Sequence, residues 1–595
     1  MAWQLARVAR ARKVQTLLLA LLAAGAFANA IPNGFVWLDH WQVEHGGLIV
    51  RSWSEFWTSL RQPLGSMPAW HGAAPYARPL VILLLSVDHW LAGLHASAYH
   101  LTVVFVHLAN VLLVFDLLRA LGMEQRASFF AAALFAVHPL QTAAVAWISG
   151  IADPLCTLFL LLAFRCHLVA LRRERLCWLA RLGALLSFLC ALASKETALI
   201  FPFLLTAAHF FFPDMLAQAS ASPRGRRRLL ARTLAPFFVL LVVDLLYRAL
   251  VLHGAALGTG FASIPLAVRL RTVPRLVVSY LALPFRFDAL TVCDDWRLSA
   301  SWDAATVAAT VALGCLLAAL AWGWRRWPFV AFGVTWMLLA LIPVLNIVPI
   351  LHYRADRFFY LPFIGWSLAC VRLAQASGAM LVQRGIVSAQ RLRHGAALLG
   401  VLTLVALTSL TARRNALFAD DVTLFESTLR VSPWCREAHT ALGDAFLRAG
   451  RAADAARQYE RALRARPHRA SYVVLPKVLI NLGMAKLAVH NYAAAEAAFT
   501  RAHHLQPQLL HPLFGLGVAN LGLGRASTAA TWLEAAYAHA PNNPDVVVNL
   551  GLSYDRLGRA AQAAALYRRY LRIAPSGDAR ELAEARLHAL HGVAR

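Results

Sequence analysis

The sequence predicts an all-α protein: a polytopic membrane helical bundle followed by an α-solenoid. Three observations predict it. Hydrophobic residues make up 59% of the 595 residues, charged residues only 15%, and mean hydropathy is +0.56. Eleven apolar stretches of transmembrane length precede residue 413. After residue 436, glycines and prolines recur at a fixed period. A globular chain carries roughly 45–50% apolar and about 25% charged residues. The composition therefore excludes a fully soluble enzyme, a disordered chain and a disulfide-rich secreted module.

A transmembrane helix needs about 20 mostly apolar residues. The first stretch, Val14 to Pro32, follows Arg7, Arg10, Arg12 and Lys13. Its basic flank and Ala28-Asn29-Ala30 resemble a cleavable leader, but the many spans after it favour an uncleaved first span. The others are 98–118, 127–147, 153–170, 177–194, 197–213, 232–252, 303–323, 328–347, 359–376 and 395–412. Residues 79–95 and 272–290 are apolar but carry Asp88, His89, Arg275 and Arg286, and read as interfacial helices on the outer face, the alternative being spans twelve and thirteen.

Charge sets the sidedness. Lys+Arg is 57 against 30 Asp+Glu, and only four of the basic residues are Lys, a bias expected of a GC-rich bacterial genome. The arginines fall between apolar segments, so the +27 net charge speaks of topology and not of nucleic acid. Clusters stand at Arg119/Arg126, Arg172/Arg173/Arg175, Arg224/Arg226/Arg227/Arg228, Arg325/Arg326 and Arg384/Arg391/Arg393. All five share one side if the N-terminus is cytoplasmic. An odd span count then places the last third outside the cytoplasm, here across a bacterial inner membrane.

That last third repeats itself. Gly443, Gly483, Gly517 and Gly551 are 40, 34 and 34 residues apart. Pro433, Pro467, Pro507, Pro541 and Pro575 are 34, 40, 34 and 34 apart. Lines such as NLGLSYDRLGRAAQAAALYRRYLRIAP resemble the tetratricopeptide repeat, a 34-residue helix–turn–helix. Gly in the first helix admits the second, Gly450, Gly524 and Gly558 end the first, and six extra residues near Arg469–Val474 lengthen one turn. The expected domains are 1–412 in the membrane, a connecting helix at 413–436 and repeats at 437–595. Four repeats form a surface for an extended protein segment.

Ionisable groups beside membrane spans are expensive and mark sites. One membrane face collects Asp39, His40, Glu44, Arg78, Asp88, His89, Tyr99, His100, His138, Asp153, Lys195, Glu196, Arg354, Asp356, Arg357 and Tyr360. Such a set suits an anionic lipid head group: cations hold phosphate, and a carboxylate takes a proton from an acceptor hydroxyl. Asp39 follows the aromatic run FVWL just outside the first span, where a carboxylate meets both lipid and water. His107 with Asn110 reads as a helix–helix hydrogen-bonding pair, and Asp294-Asp295 as solvated loop acids.

The stretches FVWLDH, YARPLVILL, GLHASAYHLTVVFVHLAN, AALFAVHPLQTAAVAWISGIADPL, LASKETALIFPFLL and RADRFFYLP, followed by the repeats, resemble the transmembrane and tetratricopeptide-repeat O-mannosyltransferases of the C-type glycosyltransferase superfold. The resemblance covers most of residues 30–365. It implies transfer of a mannose-like sugar from a polyprenyl-phosphate carrier in the membrane to a protein hydroxyl outside the cytoplasm, with the repeats recruiting the acceptor protein. It implies catalytic roles for Asp39 and His40, and contacts to substrate or lipid phosphate from Arg78, His100, Asp153, Lys195, Glu196, Asp356 and Arg357. His40 stands where the family carries a second acid, and Ile151 where it carries an arginine. No cofactor is fixed; a divalent cation at the acid position is the one candidate. The rival readings are an inactive repeat scaffold for envelope assembly and a transporter of lipid-linked sugars, whose charges would line a path through the midplane.

Overall fold

The computed structural model describes residues 2–60, 77–172, 177–214, 223–250, 264–464, 471 and 473–593. Arg173, Arg175 and half of the long turn at Arg469–Val474 lie outside the described residues. The chain forms two compact units, one up to Pro433 and one from Trp434 onward.

The first unit is helical: α1 (Ala2–Phe27), α2 (Trp53–Ser59), α3 (Pro79–Ala92), α4 (Ala96–Ala120), α5 (Gln125–Val137), α6 (Thr142–Val145), α7 (Ala152–Arg172), α8 (Cys177–Leu192) and α9 (Phe201–Phe211). There follow α10 (Pro223–Leu250), α11 (Leu266–Ala282), α12 (Ala304–Gly323), α13 (Pro328–Leu341), α14 (Pro362–Gln383), α15 (Ala389–Asn415) and α16 (Asp421–Val431).

All eleven expected spans fall on helices, but only six helices among the described residues are long and apolar enough to cross a bilayer alone. A seventh, expected as a straight span over 127–147, is bent by 50° between α5 and the turn at Pro139. Proline lacks an N–H and pushes the residue before it out of the helical region; His138 is accordingly extended, at φ −77 and ψ 132. Helices α8, α9 and α13 have 16, 11 and 14 residues, so each rises only about 16–24 Å against a hydrocarbon core of about 30 Å. Helix α14 is long enough at 22 residues but carries Arg372 and Gln375. The stretches read as interfacial form α3, too short to span at 14 residues, and α11, which holds Pro274.

Hydrogen bonds stitch the bundle where hydrophobicity cannot discriminate. His107 Nε2 faces the Ala136 carbonyl at 3.1 Å, and its Nδ1 lies 2.7 Å from the Tyr360 hydroxyl. Asn110 donates to the same hydroxyl at 3.1 Å and to the Pro154 carbonyl at 2.8 Å. His107 and Asn110 thus form the helix–helix pair read from the sequence. Between α13 and α14, a Cβ on Gly333 would stand 2.5 Å from the Gly365 carbonyl, so only glycine permits this crossing.

The second unit stacks helix pairs α17 (Arg436–Arg448) with α18 (Ala452–Leu463), α19 (Leu475–Ala488) with α20 (Tyr492–Leu505), α21 (Leu510–Gly522) with α22 (Ala526–His539), and α23 (Pro544–Arg556) with α24 (Ala560–Ile573). A last helix, α25 (Arg580–Val593), covers α24 through Ala583 and Leu587. The periodic glycine works in each pair as expected. A Cβ on Gly443, Gly483 or Gly517 would come within 2.6 Å of Tyr459, Phe499 or Leu533 on the second helix. The first helices end at φ +72, +75 and +72 on Gly450, Gly524 and Gly558; in the second repeat His490 takes that place at +57.

Gly517→Ala should therefore lower repeat-domain stability by about 1–3 kcal/mol, because Leu533 is fully buried and its Cγ would lie 2.4 Å from the new methyl group. Thermal melting followed by limited proteolysis of the repeats reads this; an unchanged melt refutes the close-packing argument.

Candidate functional site

The loop after α1 carries Asp39 on a tight turn. Its N–H donates to the Val36 carbonyl at 3.0 Å. One carboxylate oxygen accepts the Val36 N–H at 3.1 Å, and the other accepts the Ser149 N–H at 2.8 Å together with the Ser149 hydroxyl. Asp39 is completely buried, which corrects the expectation of a carboxylate facing lipid and water. The apolar run before it folds inward and takes the acid with it: Val36 is buried, and Trp37 stacks on Trp147 at 5.0 Å between ring centroids. Burial pushes the Asp39 carboxyl up to about 7, against the pull of its donors and of neighbouring His40.

His40 opens a short π-helical turn, His40–Glu44. Its Nδ1 pairs with Glu44 and its Nε2 lies 2.9 Å from Asp421 of α16. Sequence reasoning missed Ser149 and Asp421. Ser149 lies inside the motif WISGIAD, but no spacing points it at Asp39; Asp421 is 381 residues from His40.

Cations gather around Lys195. Lys195 is extended, at φ −162 and ψ 149, in the break between α8 and α9. Its Nζ donates to Asp153 at 2.5 Å and lies 5.1 Å from the Phe358 ring. Burial lowers the Lys195 ammonium pKa, Asp153 raises it, and Arg78 and Arg357 add repulsion. Arg78, at the start of α3, donates to Glu196 at 2.9 Å. Arg248 reaches the same carboxylate at 3.5 Å and Asp244 at 2.6 Å. The Arg357 guanidinium lies over Trp147 at 5.1 Å and Phe358 at 5.0 Å. Arg78, Asp153, Lys195, Glu196 and Arg357 thus meet in one cluster, and Arg248, which sequence reasoning did not single out, joins them.

Two expected contacts lie elsewhere. Asp356 turns away from Arg357: it accepts Arg414 at 2.7 Å and the Thr291 N–H at 2.5 Å. Burial raises its pKa, while Arg414 and Arg354 oppose this. His100 is buried with Nε2 3.3 Å from the Gly34 carbonyl, under the loop that carries Asp39. Asp294, expected in solvent, is largely buried, pairs with Arg354 and accepts the Ser432 hydroxyl at 3.0 Å.

Among the described residues, no group of three or more His, Cys, Asp or Glu side chains has the geometry to hold a metal. At the acid position the His40 ring pairs with both Glu44 and Asp421. An apolar groove of about 780 Å³ lies between α9 and α10, lined by Thr206, Leu234, Phe238, Val239 and Val243. Arg248 is five residues further along α10.

A family model described as tetratricopeptide repeat matches residues 410–470, 480–544 and 533–578. The protein O-mannosyl-transferase Tmtc3 of Drosophila melanogaster is 26% identical over 500 residues, covering 72% of this chain and 52% of its own length. Tmtc1 of the same organism is 31% identical over 188 residues, covering 30% and 20%. The human TMTC4 is 35% identical over 111 residues, covering 16% and 15%. Among solved structures, the crystal structure of MamA is 19% identical, with a TM-score of 0.23, over 26% of this chain and 85% of its own. The chain spans about half, or less, of the length of these curated relatives, which are protein O-mannosyl-transferases, and it carries tetratricopeptide repeats of its own.

Proposed function

We propose that this protein is a membrane glycosyltransferase that moves a mannose-like sugar from a polyprenyl-phosphate carrier to a protein hydroxyl. The observation that carries the reading is the cluster around Trp147. Arg357 lies over the Trp147 ring and belongs to the cluster with Arg78, Lys195 and Arg248, while Trp37, two residues before the buried acid Asp39, stacks on the same ring. Asp153, Glu196 and Asp244 pair with Lys195, Arg78 and Arg248 there, which keeps these buried cations in place for a phosphate. The groove between α9 and α10 suits an isoprenoid chain, with Arg248 near its end to meet the head group.

The reaction is inverting. The acceptor oxygen attacks the anomeric carbon as the bond from that carbon to the phosphate oxygen breaks. Lys195 and Arg357 stabilise the charge left on the lipid phosphate. The acceptor's proton passes to Asp39, whose pKa near 7 suits a base at neutral pH. Asp39 is buried and Ser149, which donates to it, is partly exposed, so the proton reaches the acid through the Ser149 hydroxyl. The repeats recruit the acceptor protein, and the site and repeats lie outside the cytoplasm of a bacterial inner membrane, as the five arginine clusters argue. The scaffold reading draws on one observation, the enclosure of Asp39 and the clamping of His40 between acids.

Transfer from a polyprenyl-phosphate mannose probe should be lost in Asp39→Asn by about 10²–10⁴-fold. The substitution sets an amide N–H₂ against the Val36 N–H, so it should also cost about 1 kcal/mol of stability. A base must be ionised, so the wild-type rate should fall as pH drops through about 7 and level off above it. A flat profile between pH 5.5 and 8.5 would remove Asp39 from the base role.

Lys195→Ala should raise donor KM more than it lowers turnover, since it removes a cation and leaves Asp153 without that partner. Donor titrations measure this, and an unchanged KM would dissociate Lys195 from the phosphate. Reporter fusions after Arg119 and Arg326 should read cytoplasmic and one after Leu463 extracytoplasmic; a cytoplasmic signal from the repeats would overturn the sidedness.

A further inference from the structure

We infer that Asp421, in the first turn of α16, is a positioning residue for Asp39; this role in catalysis rests on the functional reading above. One Asp421 oxygen accepts the Trp37 N–H at 2.7 Å, and the other faces His40 Nε2 at 2.9 Å. A single carboxylate therefore grips the chain on both sides of Asp39, by its backbone before and by a side chain after.

The grip answers a strain. Trp37 has φ +55, a left-handed conformation that costs a residue with a side chain roughly 1–2 kcal/mol. That turn lets Trp37 stack on Trp147 while Asp39 points at Ser149. Phe425, one turn beyond Asp421, closes the far side of the Trp37 ring, edge-on at 5.6 Å.

Asp421 is not needed to cap its own helix. Asp420 does that, accepting the Thr423 N–H at 2.9 Å. Yet the Asp421 side chain is only 8% exposed, a cost borne by an acid that turns inward to the loop. The same segment follows the loop along its length. Asn29 donates to the Ala412 carbonyl at 2.7 Å, Asn33 to the Asn415 carbonyl at 2.9 Å, and the Gly34 N–H to the Ala419 carbonyl at 3.2 Å. Asn415 returns a bond to the Ala26 carbonyl at 2.9 Å. Residues 412–425 form the template on which residues 26–40 are laid, and Asp421 is its contact nearest the acid.

Without Asp421 the Trp37 N–H loses its acceptor and the turn relaxes, displacing Asp39 from Ser149. A shift of about 1 Å in a reacting group costs up to about 10²-fold in rate. Donor binding belongs to the cations around Lys195 and should be spared. His40 also owes its orientation to Asp421, so the two act as one unit.

The test uses the full chain in nanodiscs, a synthetic polyprenyl-phosphate mannose donor and a Ser/Thr-containing acceptor peptide. Asp421→Ala should lower kcat about 10- to 100-fold with donor KM within about twofold of wild type. Asp421→Asn, which keeps an acceptor for Trp37, should lose less. The double variant Asp421→Ala/His40→Gln should be no slower than the slower single variant. Hydrogen exchange should quicken in peptides covering residues 35–45 and stay unchanged in α23 and α24. Unchanged kcat, a rise in donor KM of the same size as the kcat loss, multiplicative losses in the double variant, or unchanged exchange at 35–45 would each overturn the proposal. If wild type transfers no sugar to any acceptor, the glycosyltransferase reading falls, and the exchange result alone decides whether Asp421 holds the loop.

Discussion

The constraint on which this membrane unit depends is that a charge taken out of water must meet its opposite. Breaking a buried pair by removing one partner costs about 3–5 kcal/mol, because the remaining charge is left uncompensated. Lys195 with Asp153, Arg78 and Arg248 with Glu196, Arg354 with Asp294, and Arg414 with Asp356 all obey it. Each pair joins elements far apart in the chain. They hold the breaks between helices where apolar packing alone is indifferent to register.

Trp147 links the acid loop to the Arg357 that joins these cations. One face of its ring takes Trp37 and thereby seats the Asp39 turn; the Arg357 guanidinium lies over the ring as well. The Asp39 turn and the Arg357 guanidinium are thus both held against one rigid aromatic plane, which side-chain rotation cannot easily disturb. The segment at 412–425 then clamps the acid loop by backbone carbonyls and by Asp421. A strained Trp37 persists because several contacts over-determine it.

The repeat unit follows a different rule. Its helices approach so closely at Gly443, Gly483 and Gly517 that the aromatic or leucine of the second helix fills the space a Cβ would occupy. Local sequence carries nearly all of that information, since each contact lies within one repeat or between neighbours.

Helix positions, the repeat architecture and the gathering of Arg78, Asp153, Lys195, Glu196 and Arg357 were legible because they rest on periodicity, on apolar run length and on the cost of charge near lipid. The sequence by itself determined those, together with the His107–Asn110 pair. Tertiary structure alone decided which helices fall short of a full span, that the chain bends at His138, and that Asp39 is enclosed. It also decided that Asp356 and Asp294 bind arginines inside the fold, that Arg248 belongs with the cations, and that Asp421 reaches His40. Composition says that a charge needs a partner. Which partner it finds depends on contacts across hundreds of residues, and no local spacing encodes them.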